Sequence, residues 1–274
     1  MQAMNKRIVL RRGASAAALA AAGLAAALPA SAAVNVVNPP NSFGDHAGIT
    51  YGSGGEVFEL SPWLSVAGLG NPDAAKTVVN RNPLLEFGHS FSGSGTGTLT
   101  LEYRIANKST SESFNTLRFM LFANPDGDTQ VFADRIAETW GAALPGEAVR
   151  RETQALPALD NIQSRFLLNA NLTDGAPASD CAGAAGCDAT FAMQWNLGTL
   201  GPQEVFILRV GLSDAGQALS SRHLTATALN SPATELTFSG AYTVGVVPEP
   251  GTVAMLLAGL AAVAGVARRR LQAV

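Results

Sequence analysis

Thr98-Leu99-Thr100-Leu101-Glu102-Tyr103-Arg104-Ile105 alternates without a slip, which places Leu99, Leu101, Tyr103 and Ile105 on one face of an extended strand. The same period of two recurs along the chain. Phe191 to Leu197 lines up Phe191, Met193, Trp195 and Leu197, and Glu204 to Leu212 lines up Phe206, Leu208, Val210 and Leu212. Glu235 to Val244 groups Leu236, Phe238, Tyr242 and Val244, while Leu117, Phe119 and Leu121 make a further face ending at the turn Asn124-Pro125-Asp126-Gly127-Asp128. Gly55 to Leu60, Thr77 to Asn80 and Leu224 to Leu229 are shorter strand candidates. Glycine-rich connectors such as Ser92-Gly93-Ser94-Gly95-Thr96-Gly97 separate them. Many short alternating strands with turns between them predict a mainly β body, an antiparallel β-sandwich.

One stretch breaks the pattern. Leu159, Ile162, Phe166 and Ala170 are spaced as on a helix, which predicts a helix over 158–171 on or beside the sandwich, with Asp174-Gly175 as its stop. Residues 134–156 stay open: Arg135 to Trp140 reads as strand or helix, and Ala142 to Gly146 as a turn. Cys181 and Cys187 flank five small residues in a polar, glycine-rich loop. In an oxidising compartment such a pair reads as a disulfide staple, contributing on the order of 2 kcal/mol. A zinc site would need more ligands than these two, and the spacing is not that of a Cys-x-x-Cys redox pair.

The two ends read differently from the body. Lys6, Arg7, Arg11 and Arg12 precede an apolar run from Ala14 to Leu28, then Pro29 and Ala30-Ser31-Ala32-Ala33. This is the layout of a secretory signal peptide over 1–33, cleaved after Ala32 or Ala33. Arg11-Arg12 leaves a twin-arginine route open beside the general one. At the other end Val247-Pro248-Glu249-Pro250 precedes an uncharged run over 251–267 and then Arg268-Arg269-Arg270. Seventeen helical residues reach roughly 26 Å, the lower limit for a transmembrane helix in a hydrocarbon core of about 30 Å. The arginines belong on the cytoplasmic side, which puts the body outside. The prolines hold their stretch extended and keep the helix from growing outward.

These three parts, in this order, resemble the PEP-CTERM sorting signal of Gram-negative bacteria. The resemblance implies that a membrane-embedded peptidase, an exosortase, recognises the tail. It makes Pro248, Glu249 and Pro250 recognition residues, with Arg268, Arg269 and Arg270 completing the signal. It further implies delivery of the body, residues 34–247, to the cell surface or beyond, in a setting where exopolysaccharide and biofilm are made.

Two fragments of the body carry a second resemblance. Leu101 to Ser109 is similar to a strand ending in the Asn-x-Ser/Thr corner of immunoglobulin-like domains, here Asn107-Lys108-Ser109. Trp195-Asn196-Leu197-Gly198-Thr199-Leu200-Gly201-Pro202-Gln203-Glu204 resembles the Trp-x-Leu-Gly-x-Leu-x-Pro-Gly turn of bacterial surface domains of that kind. Gln203 stands where that turn carries glycine. The resemblance implies an immunoglobulin-like sandwich, with a jelly roll as its near relative.

Charge narrows the partners. Seven of the 18 basic residues and one of the 21 acids fall in the two end segments, so the body carries 11 against 20, a net charge of −9. That balance argues against nucleic acid, which needs a cationic footprint. Gly88-His89-Ser90-Phe91-Ser92 falls one residue short of a Gly-x-Ser-x-Gly nucleophile motif, and it precedes a Ser/Gly loop where such a motif needs a strand leading into a helix. His46, His89 and His223 are the only histidines, and no acidic cluster nominates a glycosidase pair. Asp126 and Asp128, with Asn124, offer oxygen ligands for calcium, although the same residues build an ordinary tight turn. The expectation is therefore a non-enzymatic exported surface or matrix protein with no cofactor beyond that calcium reading. The alternative is a module binding surface polysaccharide through exposed Trp and Tyr rings.

Overall fold

The computed structural model describes residues 34–38, 47–51, 56–124, 134–155, 159–175, 177, 179–229 and 234–247, with 255, 258–261 and 263 of the tail. The chain divides into Met1–Ala30, which lies outside the described residues, and Ser31–Val274. The signal-peptide reading and the calcium candidates Asp126 and Asp128 thus fall outside them too. In chain order the elements are β1 (Asn35–Asn38), β2 (Ala47–Tyr51), β3 (Glu56–Ser65), β4 (Asp73–Ala74), α1 (Ala75–Val79), β5 (Leu85–Ser92), β6 (Thr98–Asn107), β7 (Phe114–Asn124) and β8 (Asp134–Thr139). They continue with β9 (Arg150–Ala155), α2 (Leu159–Leu167), α3 (Ser179–Ala182), β10 (Ala189–Leu200), β11 (Glu204–Ser213), β12 (His223–Ala228) and β13 (Thr234–Val246).

The strands form two antiparallel sheets. One has the order β1-β2-β3-β7-β10-β9 with β4 against β3, and the other runs β5-β6-β11-β13-β12-β8. Their facing side chains share one apolar core. Leu60, Leu64, Phe119, Leu121, Phe191, Met193 and Trp195 come from the first sheet, and Leu101, Tyr103, Ile105, Phe206, Leu208, Val210 and Phe238 from the second. The alternation in β6, β10 and β11 is therefore the imprint of that interface. Trp195 donates from Nε1 to the Gly240 carbonyl at 3.3 Å. Gly240 occupies an inward position of β13 because a Cβ there would stand 2.9 Å from the Trp195 ring and 2.9 Å from the Arg209 carbonyl oxygen.

The first sheet is buried on its outer face as well. Met120, Phe122 and Ala192 point away from the main core and pack under Ile162 and Phe166 of α2, with Leu172 and Trp63 beside them. Hence Phe119 to Ala123 reads as a continuous apolar run, where the alternating pattern alone names only every second residue.

Three expectations change on contact with the structure. Thr77 to Asn80 is not a strand: it closes α1, whose buried Ala75, Val78 and Val79 follow helical spacing. The helix expected over 158–171 ends at Leu167, and Asp174-Gly175 is not its stop. Asn169 takes φ +63°. Its N–H donates to the Phe166 carbonyl at 2.8 Å and that of Ala170 to the Arg165 carbonyl at 2.9 Å. That pair of bonds is a Schellman termination with asparagine in the left-handed position. The ambiguous 134–156 resolves into β8 and β9, with Gly146 at φ +86° turning the chain beneath Tyr242.

Asn107 joins the two fragments that resemble immunoglobulin-like domains. Wholly buried, it donates from Nδ2 to the carbonyls of Glu112 (2.7 Å), Gly201 (2.8 Å) and Leu200 (3.3 Å), and accepts from the Ser109 N–H at 2.9 Å. Gln203, in the glycine place, adopts φ +59° and fastens its side chain to the Lys108 carbonyl at 3.1 Å. Replacing Asn107 by Ala orphans these carbonyls and is expected to cost about 1–3 kcal/mol in urea unfolding. Gly240→Ala should cost about 1–3 kcal/mol by overpacking Trp195. Gly245→Ala, whose Cβ would meet only Val205 at 3.4 Å, should cost far less in the same assay.

Candidate functional site

The tail is joined to the body without a linker. The last ladder pair of β13 is Val246 with Glu204, and the Val247 N–H donates to the Gln203 carbonyl at 2.7 Å. Only Pro248, Glu249 and Pro250 separate Val247 from the apolar run beginning at Gly251. Four Cα steps span at most about 14 Å, so the β10–β11 turn, β13 and the start of the apolar segment are neighbours by covalent necessity. Pro248, Glu249, Pro250 and Arg268 to Arg270 lie outside the described residues. The described tail residues Met255, Ala258 to Ala261 and Val263 are helical and exposed, with Met255 at 74% and Val263 at 69%. Among the described residues no helix is long and apolar enough to cross a membrane.

On the outer face of the first sheet, beside the end of α2, lies a cleft of about 460 Å³ lined by Ser65, Thr116, Arg118, Asn169, Asn196 and Gly198 among others. Its floor is a defect in the β7–β10 ladder. Asn196 pairs with Arg118 and Leu200 with Phe114, yet the pairing between them shifts twice, on either side of Gly198. β10 carries one extra residue before Gly198 and β7 one extra residue after it, so the two bulges cancel and register is restored. Thr116 takes φ +55° and Gly198 φ +78°. A β-branched residue in the left-handed region is strained, and such strain gathers where a surface is shaped for use. With Asn169, three lining residues adopt this conformation.

Arg118 lies across the cleft wall with its guanidinium over the Phe166 ring, 5.6 Å from the centroid. It donates to the Asn171 Oδ1 at 3.0 Å, the Asn169 carbonyl at 3.1 Å and Oδ1, and more weakly to Ser65 Oγ at 3.5 Å. All four acceptors are neutral, and among the described residues no carboxylate pairs with it. Burial without a counter-charge pushes the Arg118 pKa down. Behind it, Gln194 is locked by the Leu172 N–H donating to Oε1 at 3.0 Å. Its Nε2 must then donate to Asn171 Oδ1 (2.8 Å) and Asn196 Oδ1 (2.9 Å). With their oxygens so engaged, Asn169, Asn171 and Asn196 hold their NH₂ groups free of protein acceptors among the described residues. The wall therefore offers hydrogen-bond donors.

The other sequence candidates fare differently. Cys181 and Cys187 form a disulfide with Cα atoms 4.6 Å apart. Cys187 exchanges two backbone hydrogen bonds with Asp134, so the staple holds the start of β8. Ser90 sits mid-strand in β5 opposite Glu102, away from any strand-to-helix turn. His89 shares β5, His223 lies on β12, and His46 is outside the described residues. Among the described residues no three His, Cys, Asp or Glu side chains gather to hold a metal. Of the rings proposed for a glycan platform, Trp195 and Tyr103 are buried. The Tyr242 hydroxyl donates to the Asn196 carbonyl at 3.3 Å. Trp140 is flanked by the guanidiniums of Arg151 (4.7 Å) and Arg222 (4.8 Å). Among the described side chains the Trp and Tyr rings are buried or half-buried. The cleft residues Thr116, Arg118, Asn169, Asn171 and Asn196 were missed, because they lie on three separate elements; Gly198 inside the Trp-x-Leu-Gly fragment was their only trace.

Residues 246–270 are a membrane sorting segment of an exported protein. They match the family model of the PEP-CTERM protein-sorting motif, the signal of an exosortase substrate. No curated protein and no solved structure matches the chain.

Glu147 closes the end of the sandwich near Trp140, accepting from the Leu144 N–H (2.8 Å), the Ser221 N–H (2.5 Å) and the Ser221 hydroxyl (2.8 Å). Burial alone would raise its pKa, but these bonds together with the Arg222 N–H outweigh it and hold the carboxyl below the usual range. A depressed folded pKa adds stability above the unfolded value of about 4.3 and loses it as pH falls through the folded value. Glu147→Gln is therefore expected to cost about 1–2 kcal/mol at pH 7. The gap to the wild type in urea unfolding should narrow progressively below about pH 4.

Proposed function

We propose that the chain is an exported, non-enzymatic β-sandwich protein of the cell surface or extracellular matrix. An N-terminal signal over 1–33 exports it, the C-terminal helix over 251–267 holds it in the membrane, and an exosortase-type peptidase processes it near Pro248-Glu249-Pro250. The observation that carries this reading is the PEP-CTERM match over 246–270, joined to a folded body that ends one residue before the motif. The contact between Asn107 and the Leu200-Gly201 turn supports an immunoglobulin-like reading of the sandwich. A second reading, binding of surface polysaccharide, is favoured by the donor-lined cleft at Arg118.

The test is the intact mass of the protein recovered from the surface fraction of its native host. The expected species begins after Ala32 or Ala33 and ends near Pro248. A species retaining Arg268 to Val274 would make the tail a permanent anchor and overturn the processing step.

A further inference from the structure

We propose that the cleft between Arg118, Asn169, Asn171, Asn196 and Gly198 binds an acidic saccharide, with the Arg118 guanidinium receiving its carboxylate or sulfate. The inference rests on the polysaccharide-binding reading and is independent of the sorting reading.

Three separate observations converge on it. The first is the charge. A partly buried guanidinium held only by neutral carbonyl and hydroxyl oxygens keeps its full attraction for an anion, and a planar oxyanion is the partner its fork geometry fits. The second is the polarity of the wall. The Leu172 N–H orients Gln194, Gln194 and Arg118 orient the three asparagines by their oxygens, and the amide donors are what remains. Such a wall suits ligand oxygens, both the anionic group and ring hydroxyls. The third is the backbone. Two compensating bulges, with Thr116 and Gly198 left-handed in the strands and Asn169 left-handed beside them, open the cleft at the end of a β7–β10 ladder that is regular from Phe191 to Asn196. Bulges of this kind re-aim side chains beside functional sites.

An extended peptide finds β7 covered by β3 from Arg118 to Asn124 and β10 covered by β9 from Ala189 to Gln194, which leaves it the short stretch of β10 from Asn196 to Leu200. A volume of about 460 Å³ lies within the usual range of small-ligand sites and suits one or two sugar rings. The body's net charge of −9 repels a polyanion at long range. At 0.15 M salt that repulsion is screened beyond about 8 Å, which leaves recognition to the local contact.

The experiment uses the full chain in detergent, applied at 0.15 M salt to an array of glucuronate, galacturonate, mannuronate and guluronate oligomers. Their methyl esters, sulfated and neutral oligosaccharides, and carboxylate-terminated peptides complete the set. Retention on uronate or sulfated glycans is expected, and the pair tells which anion is read. Esterification should weaken uronate binding at least tenfold, and so should Arg118→Gln. Gly198 supplies the variant that spares the fold, since a Cβ there meets nothing within 4 Å. Asn and Asp both tolerate the left-handed backbone. Gly198→Asp should abolish binding to the acidic glycan while melting with Gly198→Asn, and Gly198→Asn should bind more strongly than Gly198→Asp. Equal retention of acidic glycans and their esters would overturn the assignment of Arg118 and leave a neutral-glycan site. Retention of peptides alone, or of nothing on the array, would overturn the saccharide reading altogether, while the mass of the processed protein would stand unaffected.

Discussion

The pairing of β7 with β10 runs through the centre of the first sheet, and both strands are buried on both faces over Phe119 to Asn124 and Ala189 to Trp195. Their inward side chains meet the second sheet, and their outward ones carry α2. Burial on two sides demands a continuous apolar run, and of the polar groups within it Gln194 is fully hydrogen-bonded while Asn124 Oδ1 and Thr190 Oγ1 find no partner among the described residues. Where α2 ends and the cover stops, the ladder can break. It does so at Gly198 and Thr116, and the cleft opens there.

Termination of α2 and the shape of the cleft are one event. Asn169 stops the helix by taking a left-handed conformation, and the same residue then offers its carbonyl and side-chain oxygen to Arg118. Arg118 in turn covers Phe166, the last large side chain of the helix to be buried. A cap, a cation–π contact and a candidate anion site share three residues. Removing any of them alters packing as well as polarity, so binding there has to be read against stability.

The opposite concern, how the body meets the membrane, is governed by covalent length. β13 is hydrogen-bonded to its last residue, and the motif follows at once. A peptidase reaching Pro248-Glu249-Pro250 must work beside Gln203 and the β10–β11 turn, the region that Asn107 makes rigid.

The amino-acid sequence by itself determined the strands whose burial is one-sided, the disulfide pair and the sorting segment. Each is a local statement: a period of two in β6 and β11, a short cysteine spacing, and an apolar run between Pro-Glu-Pro and three arginines. It named α2 but not its end, because Asn169 stops the helix through a backbone conformation that many residues adopt only when tertiary contacts hold it. It misread Thr77 to Asn80, where a few apolar residues fit either period. The cleft was decided only by tertiary structure. Arg118, Asn169 and Asn196 sit on β7, after α2 and on β10; Gln194, fixed by the Leu172 N–H, orients Asn196 and Asn171, and Arg118 orients Asn171 and Asn169. Hydrogen bonds between groups far apart in the chain have no period, so no local pattern could carry them.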